Sequence, residues 1–243
     1  MSGRRVFCAK RVSFNAAYNN ERMGAIVFLP RNAKPPYQTT VLFPGRSAGI
    51  RTSETLIEMP WIAPFIESGR ALILPILKGT YERSFSGPLP LEQPIAWRDW
   101  YVQLHKDIGR TIDYLETRSD FDTDNLAYWG WSWGAWLGPI VSAMEPRLKV
   151  NVLVAGGLPG WRQVPEVDPL NFAPRVTVPT LIVNGRYDFP FPVESSQVPL
   201  FNAIGTNVRH KRHVVLESGH MVPVNQAYAE IFAWLDRYFG PVK

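Results

Sequence analysis

The chain has a single cysteine, Cys8, among 243 residues. One cysteine excludes an internal disulfide and is typical of a reducing compartment. No apolar run approaches the ~20 residues that a membrane-spanning helix needs. Residues 1–13 also lack the apolar core of ~7–15 residues that defines a secretory signal. We therefore expect a cytoplasmic protein without a membrane span.

Motifs for nucleotides and metals are also missing. No G-x-G-x-x-G motif or P-loop follows a strand pattern. Asp120–Asp124 lacks the glycine and the distal glutamate of a calcium loop, and we interpret it as a polar turn. The net charge is +5, and we interpret the one dense basic run, Arg209–His213, as a solvated segment before a strand. We expect no cofactor, no metal and no nucleic-acid partner.

Strand and helix patterns alternate along the rest of the chain, which is 46% hydrophobic and long enough for one large α/β domain spanning residues 1–243. The predicted strands are Arg5–Phe14, Arg22–Leu29, Thr39–Phe43, Ala71–Pro75, Asn125–Trp129, Val150–Val154, Thr180–Asn184 and His213–Leu216. The predicted helices are Glu54–Ser68, Trp97–Arg118, Ser132–Met144, Glu194–Ala203 and Asn225–Phe239. No helix separates the first two strands, so we expect them to be antiparallel and the others to form a parallel sheet.

The residues Gly130–Gly134 read G-W-S-W-G and lie between a strand pattern and a helix pattern. This arrangement predicts a nucleophile elbow, a turn so sharp that only glycine fits two positions before and after the serine. The turn holds the Ser132 hydroxyl away from the sheet at a helix N-terminus, where a developing negative charge is stabilised. Ser132 is therefore the predicted nucleophile.

Two polar residues downstream of Ser132 complete a catalytic pattern. Asp188 follows the predicted strand Thr180–Asn184, and His220 follows His213–Leu216. Carboxyl ends of parallel strands face the ligand crevice of an α/β sheet, so the three side chains are expected to converge. A serine needs an adjacent base, and the chain order Ser-Asp-His is that of the α/β-hydrolases. We predict Ser132, Asp188 and His220 as a triad.

A second G-x-S-x-G, Gly45–Gly49, also follows a strand pattern. Its serine, Ser47, leads into a polar stretch, whereas Ser132 leads into an apolar helix. This early position is where the α/β-hydrolase fold keeps its oxyanion loop. We therefore expect the backbone N–H groups of Arg46 and Trp133 to form an oxyanion hole, and Ser47 not to be the nucleophile.

The chain resembles α/β-hydrolases of the dienelactone-hydrolase and prolyl-oligopeptidase branch, and most closely the hydrolase domain found C-terminal to some bacterial serine/threonine protein kinases. No kinase domain is present, because the chain has neither a Gly-rich ATP loop nor an H-R-D catalytic loop. The tryptophan just before the serine also resembles bacterial cutinase-like polyester hydrolases. The stretches that carry the resemblance are Ser13–Tyr18, Ala33–Thr39, Lys78–Arg83, Gly130–Gly134, Asn171–Val176, Asn184–Asp188 and Glu217–His220.

The resemblance implies an α/β-hydrolase fold, with a mostly parallel sheet of eight strands, helices on both faces and no large lid. It also places the triad on Ser132, Asp188 and His220. Trp131, Phe189 and Met221 lie beside the triad in sequence, and we expect them to contact substrate. With Trp133, the aromatic residues are expected to form a flat apolar wall next to the serine.

The predicted function is cleavage of short-chain or aromatic carboxylic esters through an acyl-enzyme, with a small-molecule ester as the partner. Peptidase or thioesterase chemistry would use the same triad and stays open. A sensory or interaction module derived from a hydrolase is the non-enzyme alternative. A complete triad favours the enzyme, because a binding module needs none of the three residues.

Overall fold

A computed structural model describes residues 7–56, 61–85, 93–161 and 163–242 of the chain. Its centre is one sheet of eight strands. All eight follow the predicted segments, with ends that differ by up to four residues; residues 5 and 6 of the first predicted strand lie outside the described ranges. The strands are β1 (Phe7–Asn15), β2 (Arg22–Pro30), β3 (Tyr37–Phe43), β4 (Ala71–Pro75), β5 (Phe121–Trp131), β6 (Val150–Val154), β7 (Thr180–Gly185) and β8 (Lys211–Leu216).

The sheet has the order β1-β2-β4-β3-β5-β6-β7-β8. The predicted antiparallel start is confirmed, because β1 pairs with β2 from Phe7↔Pro30 to Asn15↔Arg22, and β2 pairs antiparallel with β4. All pairs from β4 to β8 are parallel. The carboxyl ends of these six strands therefore meet at one edge of the sheet, where ligand crevices form.

Helices cover both faces of the sheet. They are α1 (Ile62–Glu67), α2 (Pro94–Glu116), α3 (Trp133–Met144), α4 (Pro169–Phe172), α5 (Val198–Ala203) and α6 (Val224–Phe239). Side chains along β5 alternate between the faces: Leu126 and Tyr128 join the core beneath α2 and α3, while Ala127 and Trp129 join the core beneath α1 and α6. Hydrophobic contacts on both faces explain why β4 is wholly apolar and why β6 is apolar except for Asn151.

Two predicted helices are interrupted. The segment predicted as Glu54–Ser68 begins as a 3₁₀ turn at Ser53–Leu56 and resumes at α1, with residues 57–60 outside the described ranges. A π-helical turn, Val193–Gln197, precedes α5. Pro199 has no N–H to donate within this segment, so a regular α-helical ladder cannot run through it.

The predicted polar turn Asp120–Asp124 is wrong for most of its length. Strand β5 begins at Phe121, and Phe121 and Asp122 pair with the first residues of β3. The register then shifts before Leu126, so the polar residues occupy an irregularity within the strand. Between β6 and β7, the described helical segments have three or four residues each, and none forms a large lid.

Candidate active site

Ser132 lies at a strained turn between β5 and α3. Its φ is +52° and its ψ is −103°, a conformation that non-glycine residues rarely adopt. A Cβ on Gly130 would lie 2.4 Å from backbone atoms of Gly134, and a Cβ on Gly134 would lie 2.3 Å from the Phe43 carbonyl oxygen. Side chains are excluded at both positions, which is the steric pattern that the sequence predicted.

The neighbouring strand and the following helix hold this turn in place. The Ser132 N–H donates to the Val154 carbonyl at 2.8 Å, and the Ser132 carbonyl accepts from the Trp136 N–H at 2.8 Å. Because α3 begins at Trp133, Ser132 sits at the positive end of a helix of 12 residues. Its hydroxyl is thus placed where negative charge is favoured.

His220 and Asp188 meet Ser132 at the carboxyl edge of the sheet. The Ser132 hydroxyl lies 2.9 Å from His220 Nε2, and His220 Nδ1 lies 2.9 Å from Asp188 Oδ2. With the Nδ1 proton donated to Asp188, Nε2 is free to accept the serine proton. The three side chains form one hydrogen-bonded chain.

The loops after β7 and β8 fix the carboxylate and the imidazole. The Tyr187 N–H donates to the Ser218 carbonyl at 2.9 Å, which ties the two loops together. Asp188 has a side-chain exposure of 0%, and its second oxygen accepts from the Phe191 N–H at 3.0 Å. The imidazole keeps 26% exposure at the cleft. A buried carboxylate that orients a partly exposed imidazole can hold one tautomer while Nε2 faces substrate.

The loop after β3 lies directly against the elbow. The Pro44 carbonyl accepts from the Gly134 N–H at 3.2 Å, and a Cβ on Gly45 would approach Trp131 Cδ1 to 3.3 Å. Arg46 opens a 3₁₀ helix that ends at Ile50. Arg46 and Trp133 are both first residues of helices, so neither N–H has an acceptor within its own helix. Both N–H groups are therefore open to an acceptor outside the helix, and their role as an oxyanion hole stays a prediction.

Ser47 lies in this loop and lines the same cleft as Ser132 and His220. The imidazole, however, is hydrogen-bonded to Ser132. Gly45, which precedes the 3₁₀ helix, has an ordinary extended conformation, unlike the strained Ser132. The two G-x-S-x-G motifs therefore adopt different structures, and only the second is an elbow.

The cleft at Ser132 has a volume of about 440 Å³. Trp131 and Met221, two of the predicted substrate contacts, line it. The Trp131 ring stacks on Trp61, with centroids 6.3 Å apart and planes inclined by 13°. The full lining comprises Pro44, Gly45, Arg46, Ser47, Ala48, Arg51, Trp61, Tyr81, Trp131, Ser132, His220 and Met221.

Phe189 and Trp133 are placed differently from the predicted flat wall. Phe189 is 93% exposed and lines a separate depression with Trp161, outside the cleft that contains Ser132. The Trp133 ring is buried on the other face of the sheet, edge-on to Phe43 at 5.1 Å. The predicted wall is therefore wrong in these two members, because the elbow reverses the chain between Trp131 and Trp133.

Comparison with protein families gives a match over residues 93–241, more than half of the chain, to the family described as PETase, PET hydrolase-like. The chain belongs to the PET hydrolase-like family. Comparison with curated proteins gives no match.

Solved structures with the same fold include a cold-adapted esterase from an Arctic intertidal metagenomic library, with a TM-score of 0.74, 20% identity, and coverage of 100% of this chain and 97% of that one. A putative dienelactone hydrolase from Klebsiella pneumoniae has a TM-score of 0.72 at 17% identity, with 95% and 100% coverage. An acetyl xylan esterase from Paenibacillus sp. R4 has a TM-score of 0.73 at 18% identity, with 96% and 85% coverage. The predicted α/β-hydrolase fold is confirmed, while the link to kinase-associated domains stays a prediction.

Tyr81 is a cleft residue that was not among the predicted substrate contacts, and residues 86–92 further along the same loop lie outside the described ranges. It is buried with a φ of +47°, and burial raises the pKa of its phenol. Two residues further on, Arg83 donates to Asp107 of α2 at 2.6 Å. Tyr81 is thus held in a strained backbone by contacts outside the cleft.

Asp107 is the anchor of this loop and was missed by the sequence analysis. Its carboxylate is completely buried and also accepts from the Tyr18 hydroxyl and from the Lys78 N–H, each at 2.8 Å. Burial raises its pKa, and the Arg83 guanidinium acts in the opposite direction. The one signal in the sequence was an acidic residue beside Leu104 and Ile108 on the apolar side of α2.

Within the described ranges, no group of three or more histidine, cysteine, aspartate or glutamate side chains is arranged to hold a metal ion. No helix in the described part of the chain is both long enough and apolar enough to cross a bilayer.

Proposed function

We propose that this chain is a carboxylesterase-type serine hydrolase that cleaves short-chain or aromatic esters. The observation that carries the proposal is the hydrogen-bonded chain Ser132–His220–Asp188, with both distances at 2.9 Å, at the edge of an open cleft. Membership of a PET hydrolase-like family supports ester chemistry. The chain would act as a single catalytic domain on a small-molecule ester.

In the acylation step, the Ser132 oxygen attacks the ester carbonyl carbon while His220 Nε2 accepts the hydroxyl proton. Asp188 holds the ring and stabilises the imidazolium that forms. The tetrahedral intermediate then expels the alkoxide, which receives the proton held by His220. The products of this step are an alcohol and an acyl-Ser132 ester.

The negative charge on the carbonyl oxygen is assigned to the backbone N–H groups of Arg46 and Trp133. Both are initial residues of helices, and the Gly134 N–H bond to Pro44 holds the two segments together. Each such donor contributes roughly 3–4 kcal/mol to the transition state in related chemistry. The helix dipole of α3 adds to this stabilisation.

Deacylation repeats these roles with water. His220 accepts a proton from a water molecule that attacks the acyl carbonyl, and then returns a proton to the departing Ser132 oxygen. The products are a carboxylic acid and the free serine. His220 is exposed enough to the cleft for water to reach it.

Trp131 and Met221 are proposed to contact substrate, because they line the cleft beside Ser132. Phe189 is kept as a contact only for substrates large enough to extend beyond that cleft. Structures of the same fold include a protein described as an acetyl xylan esterase, whose named substrate carries a small acyl group. The single cysteine supports a cytoplasmic location for the protein.

A fluorophosphonate probe tests the proposal directly, because it phosphonylates only a serine activated by its base. We expect labelling of the wild type and none of Ser132→Ala. A hydrolysis screen of 4-nitrophenyl esters, thioesters, aryl esters, polyesters and aminoacyl amides then identifies the bond that is cleaved. A folded sample that neither labels nor turns over any ester would identify a binding module instead.

A further inference from the structure

The cleft at Ser132 carries positive charge and no opposing carboxylate among its described lining residues. Arg46 and Arg51 both line it, at the two ends of the 3₁₀ helix after β3. The acidic member of the triad, Asp188, is buried behind His220 and is not part of the lining. Arg46 also lines a neighbouring aromatic pocket with Trp100 and Trp133, whereas Arg51 lies beside the cleft residue Tyr81. A ligand in the cleft therefore meets Arg51, with Arg46 at the boundary between the two pockets, and little internal compensation.

Several other arginines in the described ranges are paired with carboxylates of the protein itself. Arg83 binds Asp107 at 2.6 Å, and Arg147 binds Glu145 at 2.7 Å. By contrast, no described carboxylate lies within ion-pair distance of Arg46 or Arg51. The guanidinium groups of Arg46 and Arg51 are therefore available to an anion in the cleft.

A glutamate in the neighbouring loop is already engaged elsewhere. Glu82 accepts from the Ser53 N–H at 3.0 Å and from its hydroxyl at 2.8 Å, and it lies 4.0 Å from Arg11. These contacts hold the pKa of Glu82 below its usual range, against the effect of burial. Its charge is thus satisfied by groups other than Arg51.

Ser47 adds a neutral donor to the same wall. It lies between the two arginines in sequence, is exposed, and lines the cleft while His220 is bonded to Ser132. Guanidinium groups and a hydroxyl are the donors that proteins use for carboxylates. The stacked rings of Trp131 and Trp61 line the same cleft and offer an apolar surface. The cleft thus combines donors for an anion with an apolar surface for the rest of a substrate.

We propose that the cleft selects esters that carry a free carboxylate besides the scissile bond, with Arg46, Arg51 and Ser47 as its recognition wall. The proposal rests on the proposed esterase function and names the substrate class of that same site. The free carboxylate of such a substrate is separate from the reacting ester carbonyl. Its binding is therefore expected to change substrate affinity more than the rate of the chemical step.

Matched substrates test this charge preference. On the acyl side, 4-nitrophenyl hexanoate is compared with mono(4-nitrophenyl) adipate, in which a carboxylate replaces the terminal methyl group. On the alcohol side, methyl 4-acetoxybenzoate is compared with 4-acetoxybenzoate. The readout is kcat/KM for the anionic ester divided by kcat/KM for its neutral partner. Intrinsic reactivities cancel when this ratio is compared between protein variants.

For at least one pair, we expect Arg51→Gln to lower the ratio by about tenfold or more, the effect of losing one charge-assisted hydrogen bond. The loss should appear mainly in KM. Arg51→Glu should lower the ratio further, and high salt should reduce the wild-type ratio. Arg31→Gln is the control, because Arg31 is exposed and follows β2, at the edge of the sheet opposite the cleft. Arg46→Gln tests the second guanidinium and keeps the backbone N–H.

The outcomes separate this inference from the esterase function. If both members of each pair are cleaved and the ratios are the same in wild type, Arg51→Gln and Arg46→Gln, the carboxylate preference is wrong and the esterase stands. If no ester is cleaved, the esterase is wrong, and binding of 4-acetamidobenzoate by calorimetry decides the rest. If wild type binds this anion and Arg51→Gln does not, the cleft still binds carboxylates. If wild type does not bind it, or if Arg51→Gln binds it equally well, the proposed carboxylate site is wrong.

Discussion

Trp131 and Trp133 flank the same serine and belong to aromatic clusters on opposite faces of the sheet. Trp131 stacks on Trp61 at 6.3 Å, whereas Trp133 packs against Trp100 of α2 at 5.2 Å. Trp131 ends β5 and Trp133 begins α3, so the elbow between them reverses the chain. Only Trp131 is left to shape the cleft, and the aromatic surface there is formed jointly with Trp61.

Truncation of this surface should therefore act on aromatic substrates first. We expect Trp131→Ala to lower kcat/KM for 4-nitrophenyl benzoate by roughly tenfold, since a ring buried against rings loses apolar contact and stacking. The acetate ester should change less. Ile95→Ala, at an exposed apolar residue of α2, is the control. An equal loss for benzoate and acetate would mean that Trp131 acts through the elbow rather than through substrate.

Chain length should matter in the same cleft. Its volume of about 440 Å³ accommodates a short acyl group with its alcohol. We expect acetyl to butyryl 4-nitrophenyl esters to have a higher kcat/KM than the palmitoyl ester. Initial rates below the critical micelle concentration provide the measurement. Preference for the palmitoyl ester would contradict this prediction.

The choice of nucleophile can be checked with two serine variants. Ser132→Ala should lower kcat by roughly 10⁶-fold, because the remaining pathway has only the oxyanion donors and binding. Ser47→Ala should stay within about tenfold of wild type, the effect expected of one lost hydrogen bond. Circular dichroism confirms that both are folded. The reverse order of activities would identify Ser47 as the nucleophile instead of Ser132.

Replacement of the triad carboxylate should slow turnover less than loss of the nucleophile does. Asp188→Asn should slow kcat by about 10⁴-fold, because an amide favours the wrong tautomer of His220. The melting temperature should change little, since the remaining oxygen can still accept from the Phe191 N–H, which donates to Asp188 at 3.0 Å. Near-normal turnover would mean that another carboxylate orients His220, and Glu217 and Glu194 would then be replaced.

The sequence predicted the parts of this site that depend on local constraints. All eight predicted strand segments form strands, and β4 and β6 are the clearest, because a strand covered on both faces favours continuous hydrophobic residues. Asp188 and His220 could be placed because strand ends converge in a parallel sheet. The elbow could be located because a residue with a Cβ does not fit at Gly130 or Gly134, so the two glycines mark the turn.

The remaining features depend on contacts between distant segments. Nothing near Asp107 in the chain indicates that it would bind Arg83 and Tyr18 beneath a loop of the cleft. Likewise, Arg51 looks like an ordinary surface residue until the 3₁₀ helix places it in the cleft. The separation of Trp131 from Trp133 follows from the path of the backbone through the elbow, which the residue types alone do not give.

The steric requirement at the elbow gives a stability test. A Cβ at Gly130 would meet backbone atoms of Gly134 at 2.4 Å, and backbone cannot move aside as a flexible side chain can. We expect Gly130→Ala to lower the free energy of unfolding by at least about 3 kcal/mol. Gly160→Ala is the matched control, since a Cβ there has no atom within 4 Å, and it should stay within about 0.5 kcal/mol of wild type. Equal stabilities by urea titration would contradict the steric argument.

Stability should also fall between about pH 7 and pH 5, before acidic groups are protonated. Burial lowers the pKa of His105 and of His213 in the folded protein, from an ordinary value of 6.5. The unfolded chain therefore binds more protons as the pH falls through 6.5, so stability that is present above this value is progressively lost below it. His105→Leu combined with His213→Phe should flatten the slope of unfolding free energy against pH, whereas His210→Gln, at an exposed residue, should not. A double variant whose slope matches wild type would show that these two imidazoles are not the source of the loss.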